Sequence, residues 1–196
     1  VGCGCGAFLE FFKKEGFETF GNDPEPLSVE LAMSKGISID CIPGEEMSYE
    51  NEKFGLIIIM GSLEHVHDPN IILEKCWDYL VEDGLLVLQG RYYPVSESFR
   101  WLNANHHRFL THETIQAIAI KHGFNVLEST DYSVCGKGTG RKGNGFLFAR
   151  KNKQNKKFIN KNLSQDLLEE LKIKSLVKTP REIIDFIDRH DEMLKA

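Results

Sequence analysis

No stretch of this 196-residue sequence approaches the ~18 consecutive apolar residues of a membrane-spanning helix. The longest apolar run, Leu56 to Met60, has only strand length. No secretory leader pattern opens the chain, and a reducing cytoplasm is the expected setting. An excess of positive charge is also missing: 24 lysines and arginines face 29 aspartates and glutamates, for a net charge of −5. The phosphate backbone of a nucleic acid is therefore not an expected partner. The five cysteines, Cys3, Cys5, Cys41, Cys76 and Cys135, are odd in number and scattered, which argues against a disulfide framework. Cys3 and Cys5 form a C-x-C pair with no second pair of cysteines or histidines at zinc spacing, so no metal site is expected. Internal repeats and extended low-complexity tracts do not stand out. The initiator methionine is missing too, and the chain opens directly on a glycine loop. In an α/β nucleotide fold such a loop follows a strand, so an N-terminal truncation that leaves the first strand largely missing is expected.

What is present is an alternation of helical and strand-like periods. Residues 7–16 read as a helix, with Phe8, Leu9 and Phe12 at helical spacing and Gly16 as the stop. Phe17 to Phe20 reads as a short strand. Asp23-Pro-Glu-Pro26 breaks the chain before a helix from Leu27 to Lys35, ended by Gly36, and a strand from Ile37 to Cys41. A polar loop, Gly44 to Lys53, leads into Phe54 to Met60, an apolar run expected of a parallel strand buried on both faces. Asp68 and Pro69 supply the cap and first residue of a helix of about 13 residues. Asp83-Gly84 turns the chain into a strand from Leu85 to Gln89.

Residues 90–110 form a long irregular segment with Tyr92, Tyr93, Phe99, Trp101, His106, His107 and Phe109; an aromatic loop of this length is expected to be functional. Thr111 caps a helix through His122, closed by Gly123. Phe124 to Ser133 and Phe146 to Arg150 then form a final antiparallel pair around the glycine-rich stretch 136–145. The order implies a doubly wound, mostly parallel, Rossmann-like α/β sheet over residues 1–150. From Lys151 a polar linker leads to a helical tail, 151–196, with a capping box at Thr179-Pro-Arg-Glu182. Its apolar faces are the expected place for a homodimer or partner contact.

Two features point to a nucleotide-like ligand. Gly2-Cys-Gly4-Cys-Gly6 lets the backbone turn tightly and approach a ligand, while the helix that follows offers free N–H groups to an anion. Asp23, 17 residues beyond Gly6, stands where a carboxylate can accept hydrogen bonds from two ribose hydroxyls. Together they suit an adenosine-type ligand and leave nicotinamide dinucleotides and S-adenosylmethionine both open.

The segment after the fourth expected strand narrows that choice. Phe54-Gly-Leu-Ile57 followed by Met60-Gly-Ser-Leu-Glu-His-Val-His-Asp-Pro69 resembles the class I S-adenosylmethionine-dependent methyltransferases, particularly the small-molecule group that includes ubiquinone-pathway O-methyltransferases. Asp23-Pro24, Gly84-Leu-Leu-Val-Leu88, His106-His-Arg-Phe-Leu-Thr111 and His122-Gly-Phe124 resemble further family segments in the same order. The resemblance spans roughly residues 1–150. It implies S-adenosylmethionine as cofactor and O- or C-methylation of a small molecule.

Position by position, the resemblance implies that Gly2, Cys3, Gly4 and Gly6 cradle the methionine moiety and that Asp23, with Pro24, holds the ribose. Glu45, Glu46 and Met47 would pack around the adenine. Met60 and Gly61 would line the methionine side, with Glu64 at the boundary between cofactor and substrate. His65, His106 and His107 are the candidates for a general base, since an imidazole titrates near neutral pH. Two positions depart from the family pattern. Gly55 stands where relatives have aspartate, and Pro43, which has no N–H, stands before the adenine loop. They keep a second reading open, a non-catalytic methyltransferase-like module that binds a partner through its tail. A third, a nicotinamide oxidoreductase, rests on Gly2, Gly4 and Ala7 alone.

Overall fold

The computed structural model describes residues 1–90, 106, 107, 110, 112–130 and 145–153. Helix α1, Ala7–Lys14, starts directly after Gly6. Helix α2, Pro26–Ser34, takes Pro26 at its first turn, and the Glu25 carboxylate caps the Leu27 amide. The amide of Ile37 returns to Ala32 O at 3.1 Å beyond Gly36, closing the helix. Val29 and Ala32 of α2 pack on Ile37 and Ile39 in a small apolar cluster that Cys3 and Leu9 flank.

The two strands expected at 17–20 and 37–41 do not form a ladder. These segments meet at one isolated parallel bridge, Asn22 with Asp40. The amide of Asp23 donates to Asp40 O, that of Asp40 to Gly21 O, and that of Cys3 to Asn22 O. Phe20 meets the rings of Tyr49 and Phe54, but Phe17 remains 62% exposed. β propensity expresses fit to a pleated surface built by paired strands, and this stretch has only the isolated bridge beside it.

The sheet proper is built from four strands. Strand β1, Phe54–Met60, pairs in parallel with β2, Leu80–Gly90; β2 pairs antiparallel with β4, Gly145–Lys151, and β4 antiparallel with β3, Phe124–Thr130. The order is β1-β2-β4-β3. The expected terminal antiparallel pair is thus present. The expected turn at Asp83-Gly84 lies within β2 as an irregularity: Phe54 is opposite Leu80, Leu56 opposite Leu85, and Asp83 has φ 61°. Strand β1 is less enclosed than its composition implies, with Ile57 and Ile59 buried but Leu56 39% exposed.

Helix α3, Pro69–Tyr79, begins where the sequence indicates, with the Asp68 side chain accepting from the Asn70 amide. Ile72, Leu73 and Cys76 join Ile59, Leu86 and Leu88 in the main core. Each large aliphatic side chain buried there contributes roughly 1.5–3 kcal/mol. Helix α4, His112–Lys121, packs against β3 and β4. Lys151, expected to open the linker, is instead the last residue of β4 and only 2% exposed. Its Nζ donates to Leu80 O at 2.6 Å and stands 5.4 Å from the centre of the Trp77 ring. The tail helices, the stretch 136–144 and the aromatic residues Tyr92, Tyr93, Phe99, Trp101 and Phe109 lie outside the described residues. Among the described residues, no helix is long and apolar enough to cross a membrane.

Candidate functional site

The glycine loop is held from two sides. Gly2 has φ +62°, and a Cβ there would run into the Ser62 side chain. In return Ser62 Oγ, at 3.3 Å from Gly2 O and 3.2 Å from Met60 O, ties the loop to the turn that follows β1. Gly4 has φ +53°, yet a Cβ there would meet nothing within 4 Å. A side chain at Gly4 is excluded by backbone conformation rather than crowding, and the loop keeps an open face at that point. Gly6, buried, packs on Ile37 and Ile39 and hands the chain to α1.

Asp23 is the second anchor. It is 9% exposed; its Oδ2 accepts from the Gly4 amide at 2.7 Å and its Oδ1 from the Glu25 amide at 3.0 Å. Charge-assisted bonds of this kind are roughly twice as strong as neutral ones. Asp23 is expected from the sequence to be a ribose ligand; the structure shows that it braces the loop. Pro24 beside it is exposed. Cys3 is half-buried, and burial pushes its thiol up to about 11. A thiol held protonated in this way is a poor nucleophile or metal ligand.

The short 3-10 turn Gly44–Glu46 lies nearby, but much of its polar chemistry serves the fold. Glu45 Oε1 accepts from the amides of His67 at 2.7 Å and Asp68 at 3.5 Å. Met47 is 2% exposed within the core, and its carbonyl accepts from Lys75 Nζ and Tyr79 Oη. Glu46 is exposed.

At the end of β1, Met60 is half-buried and Gly61, with φ +61°, has open space where a Cβ would stand. The Gly61 amide donates to Gln89 O at 2.7 Å. Glu64 is 7% exposed, and its Oε2 has no hydrogen-bond partner among the described residues. The His107 amide donates to Glu64 O at 3.0 Å, which docks residues 106 and 107 onto this turn. The His106 ring meets His65 edge-on at 4.9 Å, and His107 lies against His67 at 4.8 Å. One donor atom from each of Glu64, His65 and His106 falls within 4.8 Å of the other two.

The structure therefore joins the loop, Asp23 and the turn at 60–65, and brings His65, His106 and His107 to that same turn. Sequence reasoning did not single out Ser62 or His67. Nothing in their local pattern distinguishes them, because their roles come from contacts with residues far along the chain.

A cavity of about 780 Å³ opens between β1 and the extended segment 17–22. Gly2, Gly4 and Met60 contribute to its wall, while Asp23, Gly61 and Glu64 do not. The cavity thus reaches the loop from the side of the β1 edge. Of the groups able to bind a polar ligand, the open backbone at Gly4 borders the cavity, while Gly61 and the carboxylate of Asp23 do not. The imidazoles of His65 and His106 stand beside Glu64.

Comparison with known proteins bears on this arrangement. A family profile described as a methyltransferase domain matches residues 1–129. The ubiquinone biosynthesis O-methyltransferase of Chelativorans sp. (strain BNC1) is 33% identical over 92 residues, covering 44% of this chain and 36% of that protein. The enzyme of the same name from Azorhizobium caulinodans is 26% identical over 148 residues, covering 65% of this chain and 58% of its own length. The chain thus spans between about a third and three-fifths of these relatives. Among solved structures, a Thermotoga maritima S-adenosylmethionine-dependent methyltransferase, described as a possible histamine N-methyltransferase, superposes with a TM-score of 0.59 at 20% identity, over 78% of this chain and 80% of that one. That likeness shows the fold.

Proposed function

This chain belongs to the class I S-adenosylmethionine-dependent methyltransferases, and on that premise we propose that it transfers the cofactor's methyl group to a small-molecule acceptor by O- or C-methylation. The observation that carries the reading is the convergence of the glycine loop, Asp23 and the turn after β1. Ser62 joins loop to turn, and the Asp23–Gly4 bond joins loop to acid. Ligands of open α/β sheets bind at the carboxyl ends of the strands, where Gly61 and Ser62 stand.

The residues present fit the cofactor. A side chain at Gly4 or Gly61 would project into the open space beside them, so the backbone there is free for close approach. Each Asp23 oxygen takes one backbone N–H and keeps acceptor capacity for a ribose hydroxyl. Gly2, Cys3, Gly4 and Gly6 cradle the methionine end, with Met60 and Gly61 beside it. Pro24 borders the ribose. Glu45 shapes the adenine side by holding the turn at 67–68, Glu46 is the exposed group there, and Met47 supports the turn from the core.

When bound, S-adenosylmethionine supplies a methyl group already activated by its sulfonium. The protein's share is to orient an acceptor, keep water away and, for a hydroxyl acceptor, take up its proton. Orientation of this kind contributes up to roughly 7–11 kcal/mol in favourable systems, and a general base a further 10²–10⁴-fold, approximately. His65, His106 and His107 are the groups for that second task.

The test is transfer of isotope-labelled methyl from the cofactor to a panel of small acceptors. Substituted phenols head the panel, because the curated relatives are named for ubiquinone biosynthesis. Labelled product, lost on substitution of Asp23, is the expected result. Cofactor binding without transfer to any acceptor in the panel would favour a binding module instead.

A further inference from the structure

We propose that Glu64 is the positioning carboxylate for a proton-accepting pair of imidazoles, His65 and His106, on the acceptor side of the site. The inference rests on the methyl-transfer reading and assigns the proton's route within it.

The starting point is an unfilled bond. Glu64 is 7% exposed and its Oε2 lacks a hydrogen-bond partner among the described residues. A buried carboxylate oxygen without a donor is costly, and more so when it carries charge. The cost is relieved when a donor or a positive charge appears beside it. One ring nitrogen of His65 and one of His106 lie within 4.8 Å of a Glu64 carboxylate oxygen. A neutral imidazole has one N–H and an imidazolium has two, so protonation of either ring supplies both the donor and the charge. A carboxylate attracts a positive charge placed beside it.

The placement suits proton removal from a bound acceptor. Glu64 is buried, His106 is half-buried and His65 is exposed, so the carboxylate stands behind the imidazoles rather than at the mouth. The two rings come from separate segments, and the His107 N–H bond to Glu64 O holds the second segment in place. Other groups face the same turn. His67 pairs with His107, the Glu45 carboxylate accepts from the His67 and Asp68 amides, and the Asp68 carboxylate caps α3. Of these groups and Glu64, only Glu64 has a buried oxygen left unpartnered.

In the proton step, the O–H bond of a hydroxyl acceptor breaks and a ring N–H bond forms. Oxygen keeps the electron pair that it needs as nucleophile. The imidazolium charge is balanced by Glu64, and the proton passes to water afterwards.

The experiment is an NMR pH titration of the histidine ring signals in the full chain and in Glu64→Gln, with neither cofactor nor acceptor present. His122, whose half-buried ring contacts Asn70, is the internal reference. The expected result is that the midpoints of His65 and His106 fall by about one pH unit, a roughly tenfold loss of proton affinity, while His122 does not move. Glu64→Asp, which withdraws the charge by one methylene, gives a smaller shift of the same sign and serves if Glu64→Gln fails to fold. The acidic limb of the kcat/KM profile moves down with the midpoints. Unchanged midpoints of His65 and His106 in a folded variant overturn the inference. Because the titration needs no methyl transfer, its failure is distinct from failure of the functional reading.

Discussion

The Gly4 amide donates to Asp23 Oδ2 at 2.7 Å, joining residues 19 apart in the chain. This bond fixes the face of the loop relative to the acid that follows it, so under the proposed function cofactor affinity and local stability share one residue. Asp23→Ala removes the acceptors of both the Gly4 and Glu25 amides. We expect a stability loss on the order of 2 kcal/mol, from two partly buried charge-assisted bonds, and a fall of tenfold or more in affinity for S-adenosylmethionine. Asp23→Asn keeps one acceptor oxygen and loses less of each. Urea unfolding and calorimetry of the two variants check the order.

Gly2 and Gly4 both have positive φ, but their surroundings differ. Gly2→Ala adds a clash with Ser62 to the backbone strain, and we expect a loss of about 2–3 kcal/mol. Ser62→Gly in the same chain should recover part of it. Gly4→Ala carries only the strain of about 1 kcal/mol, but places a methyl group in the open space beside the loop. Its cofactor affinity should therefore fall more than its stability. Equal stability losses at the two positions would contradict the loop geometry.

One buried and two half-buried acids set the alkaline limit. Burial pushes the Cys3 thiol up to about 11 and the Cys76 thiol up to about 12, from an ordinary 9.0. Burial, with the Asp40 carboxylate beside it, pushes Tyr49 up to about 12 from 10.0. Well below pH 9 these groups are protonated in both the folded and unfolded chain and contribute no pH dependence. From pH 9 to 12 the unfolded chain releases protons that the folded chain retains, so stability falls as pH rises. Urea midpoints should drop steadily across that window. Cys76→Ala, less stable at every pH through lost packing, should show a shallower decline; an unchanged slope would refute the assignment.

Lys151 tests where the folded unit extends. Lys151→Met keeps the apolar stem but leaves Leu80 O without its donor, a loss of about 1–3 kcal/mol. Thermal melts should show that loss while cofactor affinity stays the same. A neutral result would return residue 151 to the linker.

Much of the fold was legible because local signals agreed with tertiary packing. Asp68-Pro69 starts α3 and Gly36 closes α2 as their chemistry dictates. Residues 17–20 misled because strand propensity is realised only against paired strands, and here only an isolated bridge stands beside them. Asp83-Gly84 misled for another reason: a turn dipeptide can also be absorbed as an irregularity within a strand. In the candidate site, the turn at the loop glycines was legible because φ > 0 leaves a mark on residue type. The Ser62 contact to Gly2, the capping of the turn by Glu45 and the meeting of His65 with His106 were not. Each joins distant segments through side chains that have ordinary local readings.

The most direct test of the central claim, that the glycine loop, Asp23 and the turn after β1 form one S-adenosylmethionine site, is calorimetric titration of the chain with the cofactor. Wild type and a folded Asp23→Ala variant would be compared. The account predicts one site per chain in wild type and at least tenfold weaker binding in the variant. No binding by wild type at millimolar cofactor, or equal affinity in the two proteins, would contradict it.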